Sequence, residues 1–277
     1  SYDTLGNFIT VEKWENDNVL LDAPETKKLE MKTAYHQNGK PSITATFYKG
    51  VPEGIRREYD TTGNVIKGYV FYKGWMKYDG ITDLNGNRQG LWKEYYETGE
   101  LRSIGKYKDS KMIGEWKFLY PNQEIEIIGS YVNGKKDGQW LWFYPNRQTL
   151  MEENWDEGER NGLLVEYDEK GNVITKGNYT EGSEEGEWSY ENRGTIEKGN
   201  YFDGMKNGKW KIWFPNGNLA FEIEYEQDLY NGKYTEYWQN GRVKISGQYT
   251  TGVQIGVWIK FDEEGNPSLT TTYKDGK

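Results

Sequence analysis

The chain has 277 residues, 44 acidic against 35 basic side chains, a net charge of −9, 34 glycines, no cysteine and 16% aromatic residues. The negative balance disfavours phosphate-backbone and anionic-lipid binding, which need a positive surface, and the missing cysteines remove disulfides, thiolate catalysis and Cys–zinc sites. Glycines without a three-residue period exclude collagen, no apolar run is long enough to span a bilayer, and the many Tyr and Trp rings argue against disorder.

Taken in order, the chain opens with Tyr2-Asp-Thr-Leu-Gly6-Asn-Phe-Ile9, an echo of Tyr59-Asp-Thr-Thr-Gly63-Asn-Val-Ile66. Trp14 follows Tyr2 at the interval at which Phe71 follows Tyr59. Residues 1–29 therefore read as a partial repeat followed by a cap or linker. From residue 30 to 277 the sequence is periodic in ten units. Their anchors are Glu30, Gly54, Gly90, Gly114, Gly138, Gly162, Gly186, Gly208, Gly232 and Gly256. The step is 24 residues, except for 22 between Gly186 and Gly208 and 36 between Gly54 and Gly90. The long step leaves an insertion near 75–89, which reads either as one more strand or as a protruding loop. The short step implies a tighter hairpin between Trp188 and Tyr201.

Two residues past the anchors stand Trp92, Trp116, Trp140, Leu164, Trp188, Trp210, Tyr234 and Trp258. Seventeen past them stand Tyr107, Tyr131, Trp155, Tyr179, Tyr225, Tyr249 and Tyr273, with Tyr201 serving the short unit. These rings are the expected structural core of the repeat, because large amphipathic rings can supply the packing area that so polar a chain otherwise lacks. Each unit splits into two short strands, such as Trp116–Tyr120 and Glu124–Tyr131, around a turn at Pro121-Asn122-Gln123. A second turn is read at Asn133-Gly134-Lys-Lys-Asp-Gly138. No stretch holds a helical period. Short connections favour antiparallel neighbours, so the fold class is all-β: an elongated single-sheet antiparallel meander of tandem β-hairpin repeats of about 24 residues. In an ideal strand the plus-two, plus-four and plus-six residues share a face and the plus-five rings take the other, so both faces are expected to be aromatic.

Gly199-x-Tyr201-x-x-Gly204-x-x-x-Gly208-x-Trp210 carries a resemblance. The same spacing recurs from Gly129 to Trp140 and from Gly177 to Trp188, and Gly105-x-Tyr107 leads to Gly114-x-Trp116. The pattern resembles the MORN repeat, in the variant form of bacterial YwqK-like antitoxin components, and it covers about residues 30–277. Asp228 and Ser110 depart from it where a turn glycine is usual, and Leu164 replaces a tryptophan. The resemblance implies consecutive hairpins in a grooved sheet used for protein contacts.

Chemistry is sparse. His36, the single histidine, stands beside the Gln37-Asn38-Gly39 turn and reads as a surface turn residue; a Ser-His-Asp triad would have to use it. Glu94, Glu166 and Glu236 recur at plus four, which suits solubility or cross-strand pairing better than a unique site. Asp79-Gly-Ile-Thr-Asp83-Leu-Asn85-Gly-Asn87 has calcium-like oxygen spacing but lacks the closing Glu and flanking helices of an EF-hand, and reads as a turn-rich loop. No enzyme, metal or cofactor is expected. The partner-binding candidates are the less regular plus-six aromatics Tyr96, Tyr120, Tyr144, Phe214 and Trp238; the competing reading is that they close the sheet's own hydrophobic face. The expected function is a non-enzymatic protein-binding scaffold, with a bacterial cell-envelope assembly favoured over a cytoplasmic setting. An antitoxin-like component that neutralises a toxin and a glycan-binding repeat module are the alternatives.

Overall fold

The computed structural model describes residues 14–15, 18–19, 28–83 and 86–274. The opening echo at Tyr2–Ile9 and most of the cap or linker to residue 29 lie outside the described residues, as does Asn85 of the calcium-like stretch. The chain forms two compact units, one up to Glu124 and one from Ile125 onward. In the first, β1 (Trp14–Glu15) pairs with β2 (Asn18–Val19). An antiparallel meander follows: β3 (Glu30–Tyr35), β4 (Pro41–Tyr48), β5 (Val51–Tyr59), β6 (Val65–Tyr72), β7 (Trp75–Thr82), β8 (Arg88–Tyr95), β9 (Leu101–Lys108) and β10 (Lys111–Leu119). The second unit continues the pattern with β11 (Ile125–Val132), β12 (Lys135–Phe143), β13 (Thr149–Asp156), β14 (Glu159–Arg160), β15 (Gly162–Tyr167), β16 (Val173–Thr180) and β17 (Ser183–Asn192). It ends with β18 (Thr195–Phe202), β19 (Met205–Trp213), β20 (Leu219–Glu226), β21 (Leu229–Tyr237), β22 (Val243–Thr250), β23 (Val253–Phe261) and β24 (Pro267–Tyr273). From β3 to β10, and again from β11 to β24, successive strands pair antiparallel, except that β13 pairs with both β14 and β15.

The period fixes the register. Anchors such as Gly90, Gly138, Gly208 and Gly232 pair with the ring seventeen residues later: Tyr107, Trp155, Tyr225 and Tyr249. In the short unit Gly186 pairs with Tyr201, and the two missing residues come out of the turn, which shrinks to Arg193-Gly194.

The second turn is shorter than its sequence suggests. Asn133 and Gly134 both have positive φ, 52° and 86°, so two residues reverse the chain. Lys135, Lys136 and Asp137 then pair at once with Val132, Tyr131 and Ser130. Gly138, with φ +71°, is a bulge inside β12 and not the end of a turn. Most strands consequently run to eight or nine residues.

The insertion is a strand. β7 pairs with β6 on one side and β8 on the other. It is also a single strand, so it alters the order of turns. The Pro-Asn-Gly-type long turns normally alternate with the two-residue short ones. Around β8 two long turns come in succession, Asp83–Asn87 and Tyr96–Glu100, each closed by the same pair of backbone hydrogen bonds. Within this unit the long turns at His36–Lys40, Asp60–Asn64 and Asp83–Asn87 therefore lie on one edge of the meander, and Tyr96–Glu100 and Tyr120–Glu124 on the other.

The plus-two tryptophans make up most of the buried hydrophobic core, with Leu164, Val165, Ala220 and Ile223. Trp140 and Trp210 are each 1% exposed. Each lies flat over a glycine of the preceding strand: a Cβ at Gly129 would sit 2.1 Å from Trp140, and one at Gly199 2.1 Å from Trp210. The same joint links Trp92 to Gly80, Trp116 to Gly105, Trp188 to Gly177 and Trp258 to Gly247. The indole N–H of Trp210 donates to the carbonyl of Asn200, at 3.1 Å, and those of Trp116, Trp140 and Trp188 do the same one residue past their glycines, at 3.2 Å. Ring and N–H together lock one hairpin to the next.

Candidate functional site

The plus-seventeen tyrosines complete the ring face. Tyr201 stands edge-on between Trp188, at 5.9 Å, and Trp210, at 5.1 Å. Tyr107 stands in the same way between Trp92 and Trp116. Two residues before several anchors a cation lies over these rings. Lys206 Nζ is 4.0 Å from the Trp210 ring centre and 2.7 Å from the Glu197 carboxylate. Lys136 sits 4.4 Å from Trp140 and 4.3 Å from Trp155, Arg160 lies 5.6 Å from Trp155, and Arg88 covers Trp92 at 4.9 Å. Such cation–ring contacts gain strength when half-desolvated. The sequence alone hides this row at Lys136, which stands inside the stretch Asn133–Gly138 that reads as a turn. The signal was present in the spacing of Arg88, Lys136, Arg160 and Lys206, each two before its anchor.

The most polar part of the core is built around Glu153, which is 1% exposed. Its carboxylate accepts from Trp155 Nε1 at 2.6 Å and Arg160 Nε at 2.9 Å, with Lys136 Nζ at 3.7 Å. Burial draws the Lys136 ammonium below its ordinary range, and the Glu153 charge partly offsets that. This cluster stands where six other joints have a glycine, and the residue beyond it is Leu164, not a tryptophan.

The predicted plus-six residues do not gather into one cluster. Each closes its own long turn and all are half-buried. Tyr96 and Tyr120 belong to the first unit, Tyr144, Phe214 and Trp238 to the second. In the second unit the row is interrupted at Asp168 and again at the tight Arg193-Gly194 turn. Three of them reach forward: Tyr96 Oη donates to the Leu119 carbonyl at 2.7 Å, Tyr144 Oη to Tyr167 at 2.9 Å, and Trp238 Nε1 to Phe261 at 3.3 Å. His36 proves to be a member of the row, with Nε2 2.9 Å from the Tyr59 carbonyl. Where the position is Asp, the side chain caps its own turn instead. Asp60 Oδ1 accepts from the Thr62 and Asn64 amides, and bonds to Thr62 and Asn64 hold its carboxyl well below the usual range.

Of the recurrent plus-four acids, Glu94 meets Arg102 at 3.3 Å and Glu236 meets Lys244 at 2.6 Å, as cross-strand pairing predicts. The calcium-like stretch is divided: Asp79 is a ladder residue of β7, and Asp83 accepts the Asn87 amide of its own turn. Among the described residues no group of three or more Asp, Glu, His or Cys is placed to hold a metal ion, and no helix is long and apolar enough to cross a membrane. The arrangement offers rings, cations and paired carboxylates for holding something, and no catalytic constellation is apparent among the described residues.

Comparison with known proteins gives a partial answer. The MORN repeat variant profile matches residues 88–109 and 206–227, two of the units counted above. No curated protein matches the chain. Among solved structures, the crystal structure of TcdB2-TccC3 without its hypervariable C-terminal region aligns with 96% of this chain and 18% of its own, at 12% identity and a TM-score of 0.21. The TcdB2-TccC3-TEV structure aligns with 99% and 20%, at 10% identity and a TM-score of 0.19. The chain thus spans about a fifth of the length of these structures. The class that fold and profile define is an all-β protein of MORN-like hairpin repeats.

Proposed function

We propose that the chain is a non-enzymatic protein-binding scaffold, and that Tyr96, Tyr120, Tyr144, Phe214 and Trp238 are its partner-contacting anchors. The observation that supports this is the forward tether. Tyr96, Tyr144 and Trp238 each commit the polar tip to a backbone carbonyl of the next hairpin and remain half-buried. A ring fixed before the partner arrives loses little conformational freedom on binding, and Tyr and Trp are the residue types that most often dominate interfaces. A bacterial cell-envelope assembly is the setting we favour.

The array supplies its own test substitution, because Asp60, Asp168 and Asp262 close the same turn elsewhere. A Tyr96→Asp, Tyr144→Asp, Trp238→Asp variant keeps the turns and removes the rings. Mild crosslinking in the native cells, followed by mass spectrometry, should recover a stoichiometric partner with the wild type and lose it with this variant. Retention of the partner by a folded variant, or recovery of the wild type alone, refutes the proposal. Recovery of a toxin, with toxicity relieved by binding, would select the antitoxin-like role.

A further inference from the structure

We propose that the cavity beside Arg88 binds a carboxylate carried on a short apolar stem; taken with the scaffold reading, on which this assignment of source rests, it receives a glutamate side chain of the protein partner. The cavity measures about 120 Å³ and is lined by Arg88, Glu94, Ser103, Met112, Trp116 and Phe118, among others. Ser103 is the smallest of its lining residues. Thirteen past its anchor this unit has Ser103, where other units place Ile43, Ile127, Met151, Phe221 and Ile245, and only Thr175 is comparably small. Ser103 is 3% exposed, so it lies at the bottom of the cavity.

The charge pattern points to the ligand. Lys136 and Arg160 share the Glu153 carboxylate, and Lys206 pairs with Glu197. Arg88 is the exception in this row: among the described residues no carboxylate pairs with it. It lies over Tyr78, Trp92 and Tyr107 at 5.5, 4.9 and 5.1 Å and donates to Tyr107 Oη at 3.0 Å. Three rings hold the guanidinium plane, and a fixed guanidinium fork matches a carboxylate in two parallel hydrogen bonds. Glu94, on the cavity wall, is already compensated by Arg102 at 3.3 Å and the Ser103 hydroxyl at 3.4 Å. Met112, Trp116 and Phe118 present apolar surface to the stem. The chain's net charge of −9 opposes acidic partners at long range, but salt screens that beyond about 10 Å at 0.1 M, which leaves recognition to contact.

The test is a titration of the full chain followed through the indole N–H resonances of Trp92 and Trp116. The probes are N-acetyl-glutamate α-amide, its glutamine counterpart and propionate. The glutamate compound should give saturable shifts, and the glutamine compound should bind at least about tenfold more weakly, as loss of a charge-assisted pair requires. Two substitutions borrow from the next unit: Arg88→Met, after Met112, removes the cation, and Ser103→Ile, after Ile127, fills the space. Each should weaken binding about tenfold or more, while the backbone amide signals of β5 and β6, in the same unit and outside the cavity, report an intact fold. Equal response to the glutamine compound, undiminished binding by Ser103→Ile, or no saturation with any probe overturns the proposal. Tighter binding of propionate than of the glutamate compound would keep the carboxylate site and assign it to a free small acid. The plus-six variants test the scaffold reading separately, so failure here leaves that result standing.

Discussion

Two joints in the second unit do the same job with opposite chemistry. Between β18 and β19 the Trp210 ring lies on Gly199. Between β13 and β15 the ladder brings Glu152 opposite Val165, and Glu153 and Leu164 are the residues that follow on the two strands. There a buried carboxylate, Arg160, Lys136 and the Trp155 indole fill the volume. A third joint pairs Ile223 with Tyr234. Glycine and tryptophan come and go together because either alone is costly. Any side chain at the glycine position would overlap the indole, and a bare glycine under a smaller residue would leave a void. Leu164 is therefore half of a matched exchange and not a decayed repeat.

Breaking the regular joint should have the largest effect. Trp210→Ala leaves Gly199 uncovered and should cost about 3–5 kcal/mol, read as a lower urea midpoint of the second unit. Next, Glu153→Ala strands Arg160 and Lys136, both partly exposed, and should cost about 2 kcal/mol. The double change Glu153→Gly with Leu164→Trp rebuilds the ring-on-glycine joint. Its cost should fall well below the sum of its two single changes, and simple additivity would show that the exchange is not coupled. Tyr144→Phe removes only the tether to Tyr167 and should cost about 1 kcal/mol, seen as faster amide exchange at that turn.

The last effect appears only in alkali. Burial, and then Glu236 and neighbouring tyrosines, push the Tyr234 hydroxyl up to about 12. A raised folded value means the folded state keeps a proton that the unfolded chain releases near its ordinary value of about 10. The stability this confers is complete below that value and is lost as pH rises toward about 12. Tyr234→Phe should flatten the fall of the urea midpoint across that window, and an unchanged slope would refute the assignment.

The repeat period made much of this legible. It pointed to tryptophans that are buried, such as Trp140 and Trp210, and to tyrosines opposite their anchors, such as Tyr225 and Tyr249, because residues that must meet across a ladder recur at one offset. It also exposed the shortened hairpin at Arg193-Gly194. The purpose of Gly199 and its counterparts stayed hidden, since periodicity shows that a glycine recurs and not what lies on it. The ends of the short turns were misjudged because both Gly134 and Gly138 have positive φ, and only the pairing shows which closes the hairpin. The role of Tyr144 was equally obscure: its hydroxyl reaches a carbonyl 23 residues ahead, across a strand pair whose bulge sets the offset.

The single-strand step at β7 bears on how such a gene can grow. Duplicating or deleting one 24-residue unit moves two strands together, so every later turn stays on its own rim and every established contact keeps its neighbour. A change of 12 residues, the size of the excess between Gly54 and Gly90, moves one strand. All loops encoded after it within the unit then change rims, and a binding surface spread over several of them is rearranged by one small event while each hairpin stays intact.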